Sequence, residues 1–274
     1  MKSIIFVLAL LLPFQLQAAE TCPRTISIGG ALTEIVYKLE KEQCLIAADT
    51  TSTYPKEAEE LPMIGYQRQL SAEGILSLKP DVVLHTSQAG PPSVLKQIDQ
   101  AGIKRVVVED EASLEGVYSK IRSVSKLFDV SEKGETLIET MQKEAQGVAA
   151  TKTKPKVLFM MQHGGGAPMA GGKGTAADAI ITLSGGENVV EFDRYKPLTP
   201  EAMAALNPDI IVTTEDSLKQ LGGIEGLLAT PGLKLTKAGQ DKKIIAMDAL
   251  LILGFGPRTI EAAQELSKAF KKDS

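Results

Sequence analysis

Apolar residues along the chain fall into short runs rich in Val and Ile, separated by stretches in which they recur every three or four positions. The runs are Ile26-Ser27-Ile28, Leu45-Ile46-Ala47, Val82-Val83-Leu84-His85, Val106-Val107-Val108, Val157 to Met161, Ile210-Ile211-Val212 and Ile244-Ile245-Ala246-Met247. Such runs, bounded by turn residues, predict strands buried on both faces of a parallel sheet. Between them, Ala31 to Leu39 carries Leu32, Ile35, Val36 and Leu39 on one helical stripe. A helix beginning at Ser71 buries Ile75, Leu76 and Leu78 and stops at Pro80, because the residue before a proline is pushed out of the helical region. Pro91-Pro92 precedes a helix over Ser93 to Ala101. Strands alternating with helices of this length predict an α/β fold.

The alternation pauses after Val108. Ser113 to Phe128 carries Leu114, Val117, Ile121, Val124 and Leu127 at helical spacing, and a second helix starts at Ser131. The spacing of Leu137, Met141, Ala145 and Val148 predicts that it runs to about Ala150, roughly 20 residues and 30 Å. After Pro155 the alternation restarts, with a glycine-rich loop over Gly164 to Gly174, a helix over Thr175 to Leu183, a short strand at Val189-Val190, a helical piece from Ile224 and a terminal helix over Pro257 to Lys271.

The two alternating halves repeat each other. Leu70-Ser71-Ala72-Glu73 returns as Leu198-Thr199-Pro200-Glu201, and Leu78-Lys79-Pro80-Asp81 returns as Leu206-Asn207-Pro208-Asp209, at a constant offset of 128 residues. A weaker echo joins Ala31–Leu39 to Thr175–Leu183. Solenoid repeats are far shorter, at roughly 20–50 residues. The pattern predicts two similar α/β lobes, residues 20–129 and 152–274, joined by a connecting helix over 130–151, with a cleft between them.

Residues 1–19 change the picture of where the chain works. Lys2, the apolar run Ile4 to Leu12 and the small residues Ala18-Ala19 predict a signal peptide that is removed on export, leaving a soluble chain. Glu20-Thr21 before Cys22 do not suit a lipoprotein signal. Cys22 and Cys44 would then meet in an oxidising compartment. Each stands just before a predicted strand. If those strands are parallel neighbours, a disulfide bridges their starts; a pair of free thiols or a metal pair are the alternatives.

Composition excludes several functions. A formal net charge of −4 does not suit nucleic acid, and the absence of Trp with 4% aromatic residues leaves no stacking surface for bases. The glycine-rich loop lacks the spacing of a phosphate-binding loop, since Gly172-Lys173 is followed by Gly174 and position 167 is Ala. Gly254-Phe255-Gly256 lacks the third glycine of a dinucleotide fingerprint. No Gly-x-Ser-x-Gly elbow is present, and His85, at the end of a buried strand, reads as structural.

The remaining chemistry lies at the carboxyl ends of the strands, where open α/β sheets bind ligands. Tyr66 and Arg68 directly precede the first repeat copy, and His163 follows the first strand of the second half. Tyrosine and histidine are both axial ligands of haem iron. Arg68 could favour a tyrosinate or pair with a propionate through its planar fork. Gly164, Gly165 and Gly166 permit close backbone approach to a flat ligand, and Met160, Met161 and Met169 offer soft apolar surface.

At Tyr54-Pro55, Gly65-Tyr66-Gln67-Arg68, Leu70-Ser71-Ala72-Glu73-Gly74-Ile75-Leu76, Pro80-Asp81 and Gln162-His163-Gly164-Gly165, the sequence resembles the periplasmic haem-binding proteins of bacterial ABC haem importers. The resemblance covers the whole mature chain. It implies the fold of a class III periplasmic binding protein: two pseudo-symmetric α/β lobes with mainly parallel sheets joined by one long α-helix. It implies haem as the transported ligand, Tyr66 as an iron ligand, His163 as a second, and Arg68 beside the haem; on their chemistry, Gly164, Gly165 and Met169 are expected in the pocket. It implies Glu73 and Glu201, at matching places in the two repeats, as docking points for an inner-membrane permease. The chain is then a periplasmic carrier without catalysis, expected as a monomer. A ferric siderophore or a cobalamin in the same fold is the alternative, and an exported α/β hydrolytic enzyme a more remote one.

Overall fold

The computed structural model describes residues 22–148, 154–162 and 168–272; the predicted export segment lies outside them. The first half contains β1 (Thr25–Ile28), α1 (Gly30–Lys38), β2 (Leu45–Ala48), α2 (Ala72–Ser77), β3 (Val82–Thr86), α3 (Pro92–Gln100), β4 (Lys104–Val108) and α4 (Leu114–Leu127). Its strands form a four-stranded sheet in the order β2-β1-β3-β4, all parallel. Burial on both faces explains the unbroken apolar runs: every residue of β1 and β3 is buried.

After the connecting helix α5 (Ser131–Ala145), the second half contains β5 (Lys156–Met161), β6 (Met169–Gly171), α6 (Ala176–Leu183), β7 (Glu187–Asn188), β8 (Tyr195–Pro197), α7 (Pro200–Leu206), β9 (Ile210–Thr214), α8 (Glu215–Gln220), α9 (Ile224–Leu228), α10 (Lys237–Gln240), β10 (Ile244–Met247), α11 (Ala249–Leu253) and α12 (Thr259–Lys272). Strands β7, β5, β9 and β10 lie side by side and parallel, in the order that β2, β1, β3 and β4 take in the first sheet.

The repeat has a physical basis. Ser71 caps α2 by accepting from the Gly74 N–H, and Thr199 caps α7 by accepting from the Ala202 N–H. Asp81 accepts from the Arg24 N–H at 2.8 Å just before β1, and Asp209 accepts from the Lys156 N–H at 3.0 Å at the start of β5. Each aspartate thereby pins the end of one strand to the neighbouring strand.

Three expectations need correction. Helix α5 spans 15 residues, about 22 Å, because Gln146, Gly147 and Val148 bond three residues back and turn the chain. The predicted strand at Val189-Val190 falls on Glu187–Asn188 instead. Asn188 selects that edge by donating to the Gly171 carbonyl at 3.0 Å and to Asp178 at 2.9 Å, while Val190 is buried as core. The glycine-rich stretch is not all loop, since β6 pairs antiparallel with both β5 and β8.

Cys22 and Cys44 are joined by a disulfide with Cα atoms 5.6 Å apart. β1 and β2 are parallel neighbours with Thr25 opposite Leu45, so the bridge ties their amino ends. The largest core cluster belongs to both halves: Leu32, Ile35 and Tyr118 pack in it with Phe159, Ile180, Ile252 and Phe255. Helix α5 packs on α4, where Gly134 sits so close to Ser125 that a Cβ would lie 2.5 Å from its oxygen, and reaches α12 through Gln264, which donates to the Glu144 carbonyl at 3.1 Å.

Candidate functional site

In the first lobe the chain leaves β2 and returns along it. The Ile64 N–H donates to the Ala48 carbonyl at 3.0 Å, and the Thr50 N–H donates to the Gly65 carbonyl at 2.9 Å. Gly65 has φ of 93°, a conformation that favours glycine, and it turns the chain into Tyr66. Gln67 then anchors the turn: its Oε1 accepts from the Thr86 hydroxyl at 3.2 Å, and its carbonyl accepts from the Gly90 N–H at 2.9 Å. Thr86 ends β3 and lies against Gly29, which follows β1. The turn carrying Tyr66 and Arg68 therefore sits over the carboxyl ends of the two central strands. Arg68 is exposed and donates to Gln88 at 3.2 Å. Tyr66 is half-buried, and its phenol makes no hydrogen bond to a described residue.

Asp49 holds this region from below. It is fully buried and accepts from the Gly29 N–H at 2.8 Å, the Thr51 hydroxyl at 2.9 Å and the Ser52 hydroxyl at 3.3 Å. The Thr51 hydroxyl accepts from the Gly30 N–H at 2.8 Å. Two of the orphan donors at the start of α1 are thus satisfied by the loop after β2. Burial pushes the Asp49 carboxyl up, and these hydrogen bonds oppose that shift.

A second surface of interest belongs to the second lobe. On the edge of its sheet, Met161 stands opposite Met169 and Gly171 opposite Tyr195. Alternation along a strand places Phe159, Met161, Met169 and Tyr195 on one face. Gly171 makes room there, since a Cβ would meet Ala177 at 2.6 Å, Phe159 at 3.2 Å and Tyr195 at 3.3 Å. Met161 and Met169 are half-buried on this face. Met160 points the other way into the core and adds nothing to this face. The Tyr195 ring packs edge-on against Phe159 at 6.4 Å. Burial raises the Tyr195 phenol above its ordinary range, while the polar groups of Ala177 and Thr175 at the start of α6 and the charge of Arg68 oppose that shift. The two tyrosines differ in setting: the Tyr195 ring is packed on Phe159, whereas the Tyr66 phenol makes no hydrogen bond to a described residue.

His163, Gly164 and Gly165 lie outside the described residues. The strand that leads towards them is fixed at its end, because the Gln162 N–H donates to the Ser217 hydroxyl at 3.0 Å and the Gln162 carbonyl accepts from it at 3.0 Å. Glu73 and Glu201 are both exposed in the first turns of α2 and α7. The structural reading of His85 holds: it is buried, its Nδ1 bonds to the Thr86 carbonyl at 2.8 Å, and Arg105 donates to its Nε2 at 3.0 Å. That pattern places its proton on Nδ1. No group of His, Cys, Asp and Glu that could hold a metal ion occurs among the described residues.

Below the cleft the lobes meet through buried polar contacts. Glu34 of α1, 2% exposed, pairs with Arg258 at 3.1 Å and accepts from the Arg258 N–H at 3.2 Å. Burial raises the Glu34 carboxyl, with Arg258 opposing. Lys120 of α4, fully buried, donates to the Phe255 carbonyl of the second lobe at 3.2 Å and pairs within its own lobe with Asp110 at 2.6 Å.

The family model described as periplasmic binding protein matches residues 26–251. The chain belongs to the periplasmic binding protein family. This periplasmic binding protein is 37% identical to the apo periplasmic heme-binding protein RhuT from Roseiflexus, with a TM-score of 0.89 over 92% of this chain and 99% of that one. It is 39% identical to the periplasmic heme-binding protein BhuT in complex with two hemes, with a TM-score of 0.87 over 92% and 99%. Among curated relatives, it is 28% identical to an uncharacterized ABC transporter substrate-binding lipoprotein of Bacillus subtilis, over 92% of this chain and 81% of the relative. It is also 28% identical to a vitamin B12-binding protein of Salmonella typhi, over 75% and 76%.

Sequence reasoning missed Tyr195, Asp49, Glu34 and Arg258. A signal for Tyr195 existed, because the 128-residue offset carries position 66 to position 194, one short of it. Arg258 had none, since its partners come from a distant part of the chain.

Proposed function

We propose that this periplasmic binding protein is a haem carrier. It is exported, takes ferric haem into the cleft between its lobes and delivers it to an inner-membrane ABC permease. It performs no catalysis. Tyr66 supplies a tyrosinate to the iron and His163 a second ligand. Arg68 neutralises the tyrosinate or a propionate; Gly164, Gly165 and Met169 line the pocket. Glu73 and Glu201 present one negative charge on each lobe for the permease to grip, a complementarity that fixes register.

The observation that carries this reading is the Tyr66 phenol, without a hydrogen bond to a described residue, beside Arg68 and over the carboxyl ends of β1 and β3, together with the half-buried Met161 and Met169 on the edge of the second lobe's sheet. An apolar wall with one anionic oxygen donor suits a flat, hydrophobic iron chelate. The likeness to haem-binding proteins supports it, at 37% and 39% identity over 92% of the chain. Likeness to a vitamin B12-binding protein at 28% identity over 75% of the chain supports cobalamin as the second reading. Titration of the purified chain with ferric haem and with cyanocobalamin separates the two: the haem reading expects a saturable Soret shift with haem and no binding of the corrin.

A further inference from the structure

The loop between α11 and α12 is seated on the first lobe. Lys120 donates to the Phe255 carbonyl at 3.2 Å. Gly256 packs on α1, where its Cβ position would lie 3.4 Å from the Ala31 backbone. Arg258 completes the contact. Its backbone N–H and its Nε both meet Glu34, and its guanidinium carbon lies 3.5 Å from the centre of the Tyr54 ring. Its Nη2 is buried and makes no hydrogen bond among the described residues. The guanidinium lies on the Tyr54 ring rather than in a fork of acceptors, a planar stacking that the point charge of a lysine does not reproduce.

Tyr54 belongs to the same excursion of the chain that presents Tyr66. That excursion leaves β2 at Asp49, is clasped there through Thr51 and Ser52, and closes where the Thr50 N–H holds the Gly65 carbonyl. Its first limb is thus pinned at Asp49 by the first lobe and at Tyr54 by the second. We propose that Arg258 is a positioning residue: by stacking on Tyr54 from across the lobe boundary it holds the loop that presents Tyr66, so the iron site is fully formed only while the lobes stay apposed. Separation of the lobes on the permease would withdraw Arg258, loosen Tyr54 and release the tyrosinate. The ligand would then be given up through a change made at the far side of the loop, without a competitor for the iron.

This inference rests on Tyr66 ligating haem, and the test keeps the two claims apart. The full-length mature protein is loaded with ferric haem, and transfer to excess apomyoglobin is timed for the wild type, Arg258→Lys, Tyr54→Phe and Tyr54→Leu. The tyrosinate-to-iron charge-transfer band and the urea midpoint are recorded for each. Tyr54 is partly exposed, so its variants fold even where Arg258→Lys is compromised. Arg258→Lys and Tyr54→Leu should lose haem about five- to tenfold faster, with a weakened band, as loss of one cation–π contact implies. Tyr54→Phe, which keeps the ring face, should match the wild type. Wild-type release and band in Tyr54→Leu, or equal damage from Tyr54→Phe, would overturn the positioning role. A Tyr66→Phe control that keeps the band would instead overturn the iron ligation on which it rests.

Discussion

Lys120 of the first lobe donates a 3.2 Å hydrogen bond to the backbone carbonyl of Phe255 in the second. The ammonium is fully buried and also pairs with Asp110 at 2.6 Å. Two lobes joined by one helix are here also joined by a buried cation. Lys120→Met removes the charge but keeps the stem. It leaves the Phe255 carbonyl unpaired, which costs about 1–3 kcal/mol. Asp110 is partly exposed and can rehydrate, so the loss should stay near the lower end. Urea unfolding checks this, and an unchanged midpoint would show that the bridge between lobes contributes nothing.

His85 gives the fold a pH dependence. Burial holds its imidazole below the ordinary histidine range, Arg105 adds to the effect, and the Thr86 carbonyl and Asp99 oppose it. The folded state therefore binds fewer protons than the unfolded state at mildly acidic pH. The contribution of His85 to stability is whole above pH ~6.5, the unfolded value, and is lost as pH falls through the lower folded value. His85→Gln, which can still accept from Arg105, should flatten the stability curve as pH falls below about 6.5. Parallel curves for the two proteins would assign the acid sensitivity to other groups.

The disulfide lies at the amino ends of β1 and β2, opposite the cleft. Replacing Cys22 and Cys44 by serine should cost about 3 kcal/mol of stability, the loop-closure value for a bridge of this span. Haem stoichiometry should not change. A change in stoichiometry would mean that the strand starts communicate with the site.

Glu73 and Glu201 occupy equivalent exposed helix starts, 128 positions apart. Reversing both charges to lysine should abolish haem uptake through the reconstituted permease while leaving haem binding in solution unaltered. Uptake at the wild-type rate would return these residues to the ordinary role of acidic first-turn charges.

Much of this architecture was legible in the sequence because local chemistry fixes it. Ser71 and Thr199 cap helices, Pro80 and Pro208 precede strands, and Asp81 and Asp209 pin strand ends, so the repeat carried the topology of both sheets. The length of α5 was overread because Val148 continues the apolar spacing after Gly147 has already turned the chain. The antiparallel edge formed by β6 and β8 was hidden by its glycines: Gly171 serves close packing against Phe159 and Tyr195, and Gly172 against Phe192 and Arg194, rather than a loop. Tyr66 could be found because it abuts the repeat. Arg258 could not, because its meaning depends on Glu34 and Tyr54, which the chain brings to it only on folding.

The central claim is that Tyr66 ligates haem iron. Its most direct test is an absorption titration of the purified apo-protein with ferric haem, run beside Tyr66→Phe and His163→Ala. The account predicts a saturable Soret shift in the wild type, with charge-transfer bands that vanish in Tyr66→Phe and persist in His163→Ala. A wild-type titration without saturation, or a Tyr66→Phe spectrum that keeps those bands, would contradict it.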